Sequence, residues 1–178
     1  MTEEKLKIKI VGAGAVGKSS ITIRFVHEKF VQISEPIEDF PKKQLNIDGQ
    51  SQMLEILDIW GQEELAALID ATMRYCDGFV IVYAADNQIS FEETRNLHAQ
   101  IVDVRKKGFP CILVANKCDL EETRVVTTKM GRKQAKELGC LFIESSAKTN
   151  VNITKIFVNL VKEIKKQKLV QGEGHRYG

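Results

Sequence analysis

One run of residues limits what this chain can become more than any other: Gly12-Ala13-Gly14-Ala15-Val16-Gly17-Lys18-Ser19. It satisfies Gly-x4-Gly-Lys-Ser/Thr, a pattern whose meaning depends on a strand before it and a helix after it. Both flanks are present. Leu6-Lys7-Ile8-Lys9-Ile10-Val11 alternates as a strand does, and Ile21-Thr22-Ile23-Arg24-Phe25-Val26 reads as the start of a helix. A glycine loop between two such elements turns its N–H groups inward on phosphate oxygens, and the helix N-terminus adds partial positive charge. Gly14, Ala15, Val16, Gly17, Lys18, Ser19 and Ser20 are therefore candidate nucleotide contacts. Lys18 can reach the terminal phosphates, and Ser19 can offer its hydroxyl to Mg²⁺. A flexible turn ahead of a helix would explain the glycines, but not Lys-Ser in register behind a strand.

The 178 residues suit one domain with a sizeable core. Hydrophobic residues at 43% and charged residues at 28% are ordinary for a soluble globular protein. A net charge of +2 is too small to argue for a nucleic-acid partner. Cys76, Cys111, Cys118 and Cys140 are scattered without a Cys-x-x-Cys pair. That argues against zinc and against a disulfide framework, and fits a reducing compartment. Met1-Thr2-Glu3-Glu4 lacks the basic start and apolar block of a signal peptide. No apolar run approaches the roughly 20 residues of a membrane helix. The expected location is cytoplasmic.

Strand-like and helix-like segments alternate along the chain. Lys42–Ile47 and Met53–Ile59 flank Asp48-Gly49, a hairpin signal that makes one early strand pair antiparallel. Gly78–Ala84 and Cys111–Ala115 are short continuous apolar runs of the kind that suits parallel strands covered on both faces, and Leu141-Phe142-Ile143 is a shorter one. Helical patterns run over 89–106 and 127–138. A last helix over 151–168 places Ile153, Ile156, Phe157, Leu160, Val161 and Ile164 on one face. The sum is a single α/β domain with a six-stranded, mostly parallel sheet flanked by helices. Residues 170–178 are polar and glycine-containing and are expected to fray as a flexible tail. Lys9 resists the pattern. It alternates with isoleucines on a strand that should be central, so either it snorkels past the sheet end or it meets an acid.

Three further segments, in fixed order, narrow the ligand. Asp58-Ile59-Trp60-Gly61-Gln62 follows a strand, and ligands of open α/β sheets bind at the C-terminal ends of strands. Asp58 can orient Mg²⁺ through its water shell. Gly61 offers an unobstructed N–H, and Gln62 is a polar group near the terminal phosphate. Asn116-Lys117-Cys118-Asp119 follows an apolar strand. A base with a 2-amino and an N1–H group calls for an acceptor pair, which the Asp119 carboxylate supplies; adenine has no such donor pair. Asn116 can bond the purine edge or brace the phosphate loop. Ser145-Ser146-Ala147-Lys148 follows the last strand. Its N–H groups can bind the guanine 6-oxo group, with Lys148 near the base plane.

With these segments the chain resembles the Ras family of small GTPases over residues 4 to 169. The likeness includes Lys5-Leu6-Lys7, Ile37-Glu38-Asp39, Gly61-Gln62-Glu63-Glu64, Asn116-Lys117-Cys118-Asp119-Leu120, Ser146-Ala147-Lys148-Thr149 and Val161-Lys162-Glu163-Ile164. The resemblance implies a P-loop G domain over 1–169, with strand order 2-3-1-4-5-6, strand 2 antiparallel and about five helices. It implies a monomer that binds GDP or GTP with Mg²⁺, Ser19 and Asp58 holding the ion. It also implies that Phe30 packs against the base, where a core role is the competing reading. Gln62 would orient the attacking water and Lys18 would contact the terminal phosphates, while a partner supplies an arginine finger. Exchange factors, activating proteins and effectors would be its partners, the last through Ile37-Glu38-Asp39-Phe40 as an exposed edge.

The chain departs from that pattern in its first switch. The family's threonine there binds Mg²⁺ by its hydroxyl and the γ-phosphate by its amide. Here Pro36 directly precedes Ile37 and has neither group. Ser34 has a hydroxyl but lies three residues before Ile37. Trp60 stands where the family has alanine, and must turn outward or crowd the loop. Ala15 replaces a common glycine, Gly14 is kept, and Pro41 replaces an aromatic used in effector contact. The expectation is a protein that holds guanine nucleotide well but whose first switch closes poorly on GTP. A non-cycling module that binds the nucleotide structurally is the alternative. No cysteine follows Cys140, so membrane association is expected only if a lipidated tail lies beyond this sequence. Lys162, Lys165, Lys166 and Lys168 read as a solvated helix face.

Overall fold

The computed structural model describes residues 4–28, 40–58 and 66–174. Strand β1 (Lys5–Gly12) leads into helix α1 (Lys18–His27), and the hairpin β2 (Lys42–Ile47) and β3 (Gln50–Leu57) follows. Then come α2 (Ala66–Tyr75), β4 (Gly78–Ala84), α3 (Gln88–Arg105), β5 (Cys111–Asn116), α4 (Thr128–Leu138), β6 (Leu141–Glu144) and α5 (Ile153–Gly174). The six strands form one sheet in the order β2-β3-β1-β4-β5-β6, and the β2–β3 pair is antiparallel. This is the expected topology.

Local chemistry accounts for the elements. Asp48 and Gly49 both take positive φ (52° and 79°), as a two-residue hairpin turn requires. The turn seats Gln50 opposite Ile47, so β3 begins three residues earlier than the apolar pattern from Met53 suggested. All seven residues of β4 and all six of β5 are buried, which explains their unbroken apolar runs. Asn87 caps α3 by accepting from Ser90 N at 3.0 Å, and Thr127 caps α4 by accepting from Met130 N at 3.1 Å. Helix α5 runs on to Gly174, so Val170 to Gly174 of the expected tail are helical, and 175–178 lie outside the described residues. Helix α2 has no counterpart among the helical ranges read from the sequence.

Two apolar layers sandwich the sheet. Leu6, Ile8 and Ile10 face α1 and α5, where the Phe25 and Phe157 rings stack at 3.9 Å. Val11, Phe79, Ile81 and Tyr83 face α2, α3 and α4 with Met73, Phe91 and Ile101. Because β1, β3, β4, β5 and β6 run parallel, the turns after them gather at one edge. Of the lysines near the C-terminus, Lys168 pairs with Glu4 at 2.7 Å and Asp77 at 3.6 Å, and Lys162 lies 3.9 Å from Asp48. Part of that basic stretch is thus occupied with the chain's own acids. No helix among the described residues is long and apolar enough to cross a membrane.

Candidate functional site

At that edge lies a cavity of about 700 Å³, within the usual range for small-molecule sites. Gly12, Gly14, Ala15, Val16, Gly17, Lys18, Ser19 and Ser20 form one wall. Asp58 stands to one side, and Asn116, Lys117, Asp119, Leu120, Ala147 and Lys148 complete it. Four segments distant in sequence therefore converge. Leu120 adds an apolar wall residue beside the polar motif.

The loop's backbone is set by two left-handed residues, Ala15 (φ 62°) and Gly17 (φ 94°). At Gly17 even a methyl group would collide with Asn116 Nδ2, so glycine is needed for space as well as for φ. Gly17 is also the N-cap of α1 and supplies no side-chain acceptor, which leaves the first-turn N–H groups to an anion at the helix end. Lys18 Nζ donates to Gly12 O at 2.6 Å, folded back over the loop it must serve. Burial lowers the Lys18 pKa, and the Asp58 charge opposes that.

Ser19 Oγ donates to Asp58 Oδ2 at 3.0 Å. Burial raises the Asp58 pKa, opposed by the Ser19 hydrogen bond, the charges of Lys18 and Lys9, and a hydrogen bond from Thr22. A hydroxyl and a half-buried carboxylate already in contact are a hard-oxygen pair suited to Mg²⁺, so these residues fit the ion that the sequence implied.

At the other end of the cavity, Asn116 ends β5 and is 2% exposed. Its Nδ2 donates to Val16 O at 2.9 Å, and its Oδ1 accepts from Ser145 Oγ at 3.1 Å and Ala147 N at 3.4 Å. Of the two roles open to it, this geometry is the brace. Lys117 takes φ 61° and donates Nζ to Ala15 O at 2.8 Å. Two loop carbonyls are thereby held by Asn116 and by Lys117 just after β5, which favours N–H groups facing the cavity. Asp119 Oδ1 accepts from Ser146 Oγ at 2.7 Å, which orients its carboxylate at the cavity wall.

Ser146 differs from expectation. It is fully buried and is absent from the cavity wall, and its N–H goes to Val151 O at 3.1 Å. Its hydroxyl is spent on Asp119. Arg24 on α1 carries a second role beyond its place in the helix. Its guanidinium donates to Ala147 O and Lys148 O, both at 2.9 Å, and ties α1 to the loop after β6. A bond spanning 123 residues leaves no local trace in the sequence. Phe30, Pro36, Trp60, Gly61 and Gln62 lie outside the described residues.

Lys9 takes neither of the routes considered. It is 2% exposed, and its Nζ donates to Thr72 Oγ1 on α2 at 2.9 Å. Burial lowers its pKa, the neighbouring Cys76 and Asp58 pull it back up, and Lys18 pushes it down. Cys76 in turn is pushed up to about 12, first by burial, against the pull of Lys9.

Comparison with known proteins agrees with this geometry. The family model described as "Ras family" matches residues 7–166. The chain is 46% identical over 165 residues to "Ras-like protein 2" of Mucor circinelloides f. lusitanicus, covering 92% of this chain and 83% of that protein. The fold, the convergent cavity and both matches lead to one conclusion: this chain belongs to the Ras family of small GTPases.

Proposed function

We propose that this protein binds GDP and GTP with Mg²⁺, hydrolyses GTP slowly, and serves as a cytoplasmic signalling switch. The observation that carries the reading is Asn116. One buried amide ties the phosphate loop at Val16 to the base-side loop at Ser145 and Ala147. A cavity built that way suits a ligand with a charged tail at one end and a planar base at the other. Asp119 supplies the acceptors that a 2-amino, N1–H purine needs, and Ala147 and Lys148 line the same end. Ser19 and Asp58 would hold Mg²⁺, which when bound neutralises phosphate charge. Lys18 sits at the tail end, where its ammonium can leave Gly12 O for a phosphate oxygen. Gln62 is assigned by family likeness as the group that orients the attacking water. Exchange factors, activating proteins and effectors are its proposed partners, and the active unit is a monomer.

A second reading rests on one sequence fact. Pro36 has no hydroxyl and no N–H, so the usual first-switch contacts to Mg²⁺ and to the γ-phosphate are lost. A ligand shifts a conformational equilibrium only by its differential affinity. On this reading the protein holds guanine nucleotide without cycling. Multiple-turnover phosphate release separates the two. Slow release that drops further in Gln62→Leu supports the switch; release indistinguishable from buffer in both proteins, with GDP still bound, supports the static module.

A further inference from the structure

The spacing of the cysteines spoke against zinc, yet folding brings two of them to one histidine. Among the described residues, His98 on α3, Cys111 at the start of β5 and Cys140 between α4 and β6 place one ligand atom each within 4.8 Å of one another. This cluster sits at the N-terminal end of β5, whereas Asn116 at the other end lines the nucleotide cavity. Five residue steps from Cys111 to Asn116, at roughly 3.3 Å each, keep the two sites apart by most of the sheet's depth. Cys111 is 3% exposed, while His98 and Cys140 are half-buried, so the cluster is reached from solvent on one side. Cys111 Sγ makes a long contact to Gly139 O at 3.9 Å, and the Phe109 ring lies 5.2 Å from the His98 ring and shields it.

We propose that His98, Cys111 and Cys140 form a binding site for a soft divalent cation of the zinc class, with solvent as the fourth ligand. Two sulfurs and an imidazole select such an ion over Mg²⁺, which takes oxygen ligands and belongs with Ser19 and Asp58. Tetrahedral zinc holds sulfur at about 2.3 Å and nitrogen at about 2.0–2.1 Å, so its ligand atoms sit a little under 4 Å apart. Donors already within 4.8 Å need to close by about 1 Å, which rotamer adjustment can supply. As each metal–sulfur bond forms, the thiol proton passes to solvent, two protons per ion. The two thiolates then cancel the ion's double charge, and a half-buried centre is left neutral. The neighbouring Cys140 thiol and then burial push the Cys111 thiol pKa up, and His98 opposes them, as three crowded donors would. An ion here would fasten α3, β5 and the α4–β6 turn together at the end of the sheet remote from the nucleotide.

The test is a Co²⁺ titration of the full chain with a phosphine reductant, followed by displacement with Zn²⁺. One equivalent is expected to give a sulfur-to-cobalt charge-transfer band, and zinc should protect two of the four cysteines from a thiol reagent. Cys140→Ser and His98→Ala should each bind at least about tenfold more weakly, with thermal unfolding confirming that they are folded. Cys118→Ser should bind as the parent does. A parent protein without the band would overturn the proposal, as would a band that survives in both Cys140→Ser and His98→Ala.

Discussion

A lysine inside a parallel sheet has to be explained by what its ammonium touches. Lys9 finds one hydroxyl, Thr72 Oγ1, and the nearby charge of Asp58. Thr72 itself donates to Ile69 O at 2.8 Å, so its hydroxyl keeps a partner without the lysine. Replacing a buried charge by an apolar chain of similar length is then a net relief. We expect Lys9→Met to be more stable by about 1–2 kcal/mol in urea unfolding at neutral pH; a loss of that size would mean that the ammonium holds α2 to β1. Ala15 shows the opposite situation, a residue whose cost is visible only in the backbone. Its φ of 62° is left-handed, which a non-glycine residue adopts at about 1–2 kcal/mol. The sequence marked Ala15 as a departure but could not report its dihedral.

At the scale of elements, β5 carries the site. Asn116 holds the loop and Asp119 is the proposed base contact, so substitutions at the two should separate. Asn116→Ala leaves Val16 O and the Ser145 and Ala147 donors without their buried partner. That should cost about 2–3 kcal/mol in unfolding free energy and weaken GDP and ADP alike. Asp119→Ala should leave stability within about 1 kcal/mol, because Ser146 Oγ is still engaged by Thr149 N, and should abolish discrimination between GDP and ADP. Equal effects of the two on discrimination would contradict the assignment.

A second element joint is Glu144 at the end of β6. Its Oε1 accepts from Arg124 and from Thr128 Oγ1, both at 2.7 Å. Burial pulls its pKa up, but these hydrogen bonds and the charges of Arg124 and Arg132 outweigh it and hold the carboxyl below its ordinary value. The sign follows from linkage. The stabilisation is complete above the unfolded glutamate pKa and is lost as pH falls through the depressed folded value. Acid unfolding curves of parent and Glu144→Gln should therefore differ most above the ordinary glutamate pKa of about 4.3, the parent being more stable, and draw together as pH falls below it.

How far the sequence carries is clear from these same elements. Continuous apolar runs located β4 and β5, and Asp48-Gly49 located the hairpin, because burial and turn chemistry are local properties. Helix α2 and the brace from Arg24 were not foreseen. The first begins directly after the polar run Gln62-Glu63-Glu64 of the preceding motif, and the second depends on atoms that only folding brings within 2.9 Å. The position of Ser146 after the last strand is legible in the sequence, but the hydrogen bonds from its buried side chain to Asp119 and from its N–H to Val151 O depend on folding.

For the whole molecule, one consequence of parallel topology governs the rest. Strands running the same way deliver their following turns to one edge, and two apolar layers fix those turns against each other. A ligand that touches several of these turns binds only the folded chain, so it stabilises by RT ln(1 + [L]/Kd), about 2.7 kcal/mol at a hundredfold excess over Kd. The most direct test of the account is the shift in thermal unfolding of nucleotide-free protein with Mg²⁺ and either GDP or ADP at equal concentration. A large shift with GDP and a small one with ADP is the predicted result. Equal shifts with the two nucleotides, or none with either, would contradict it.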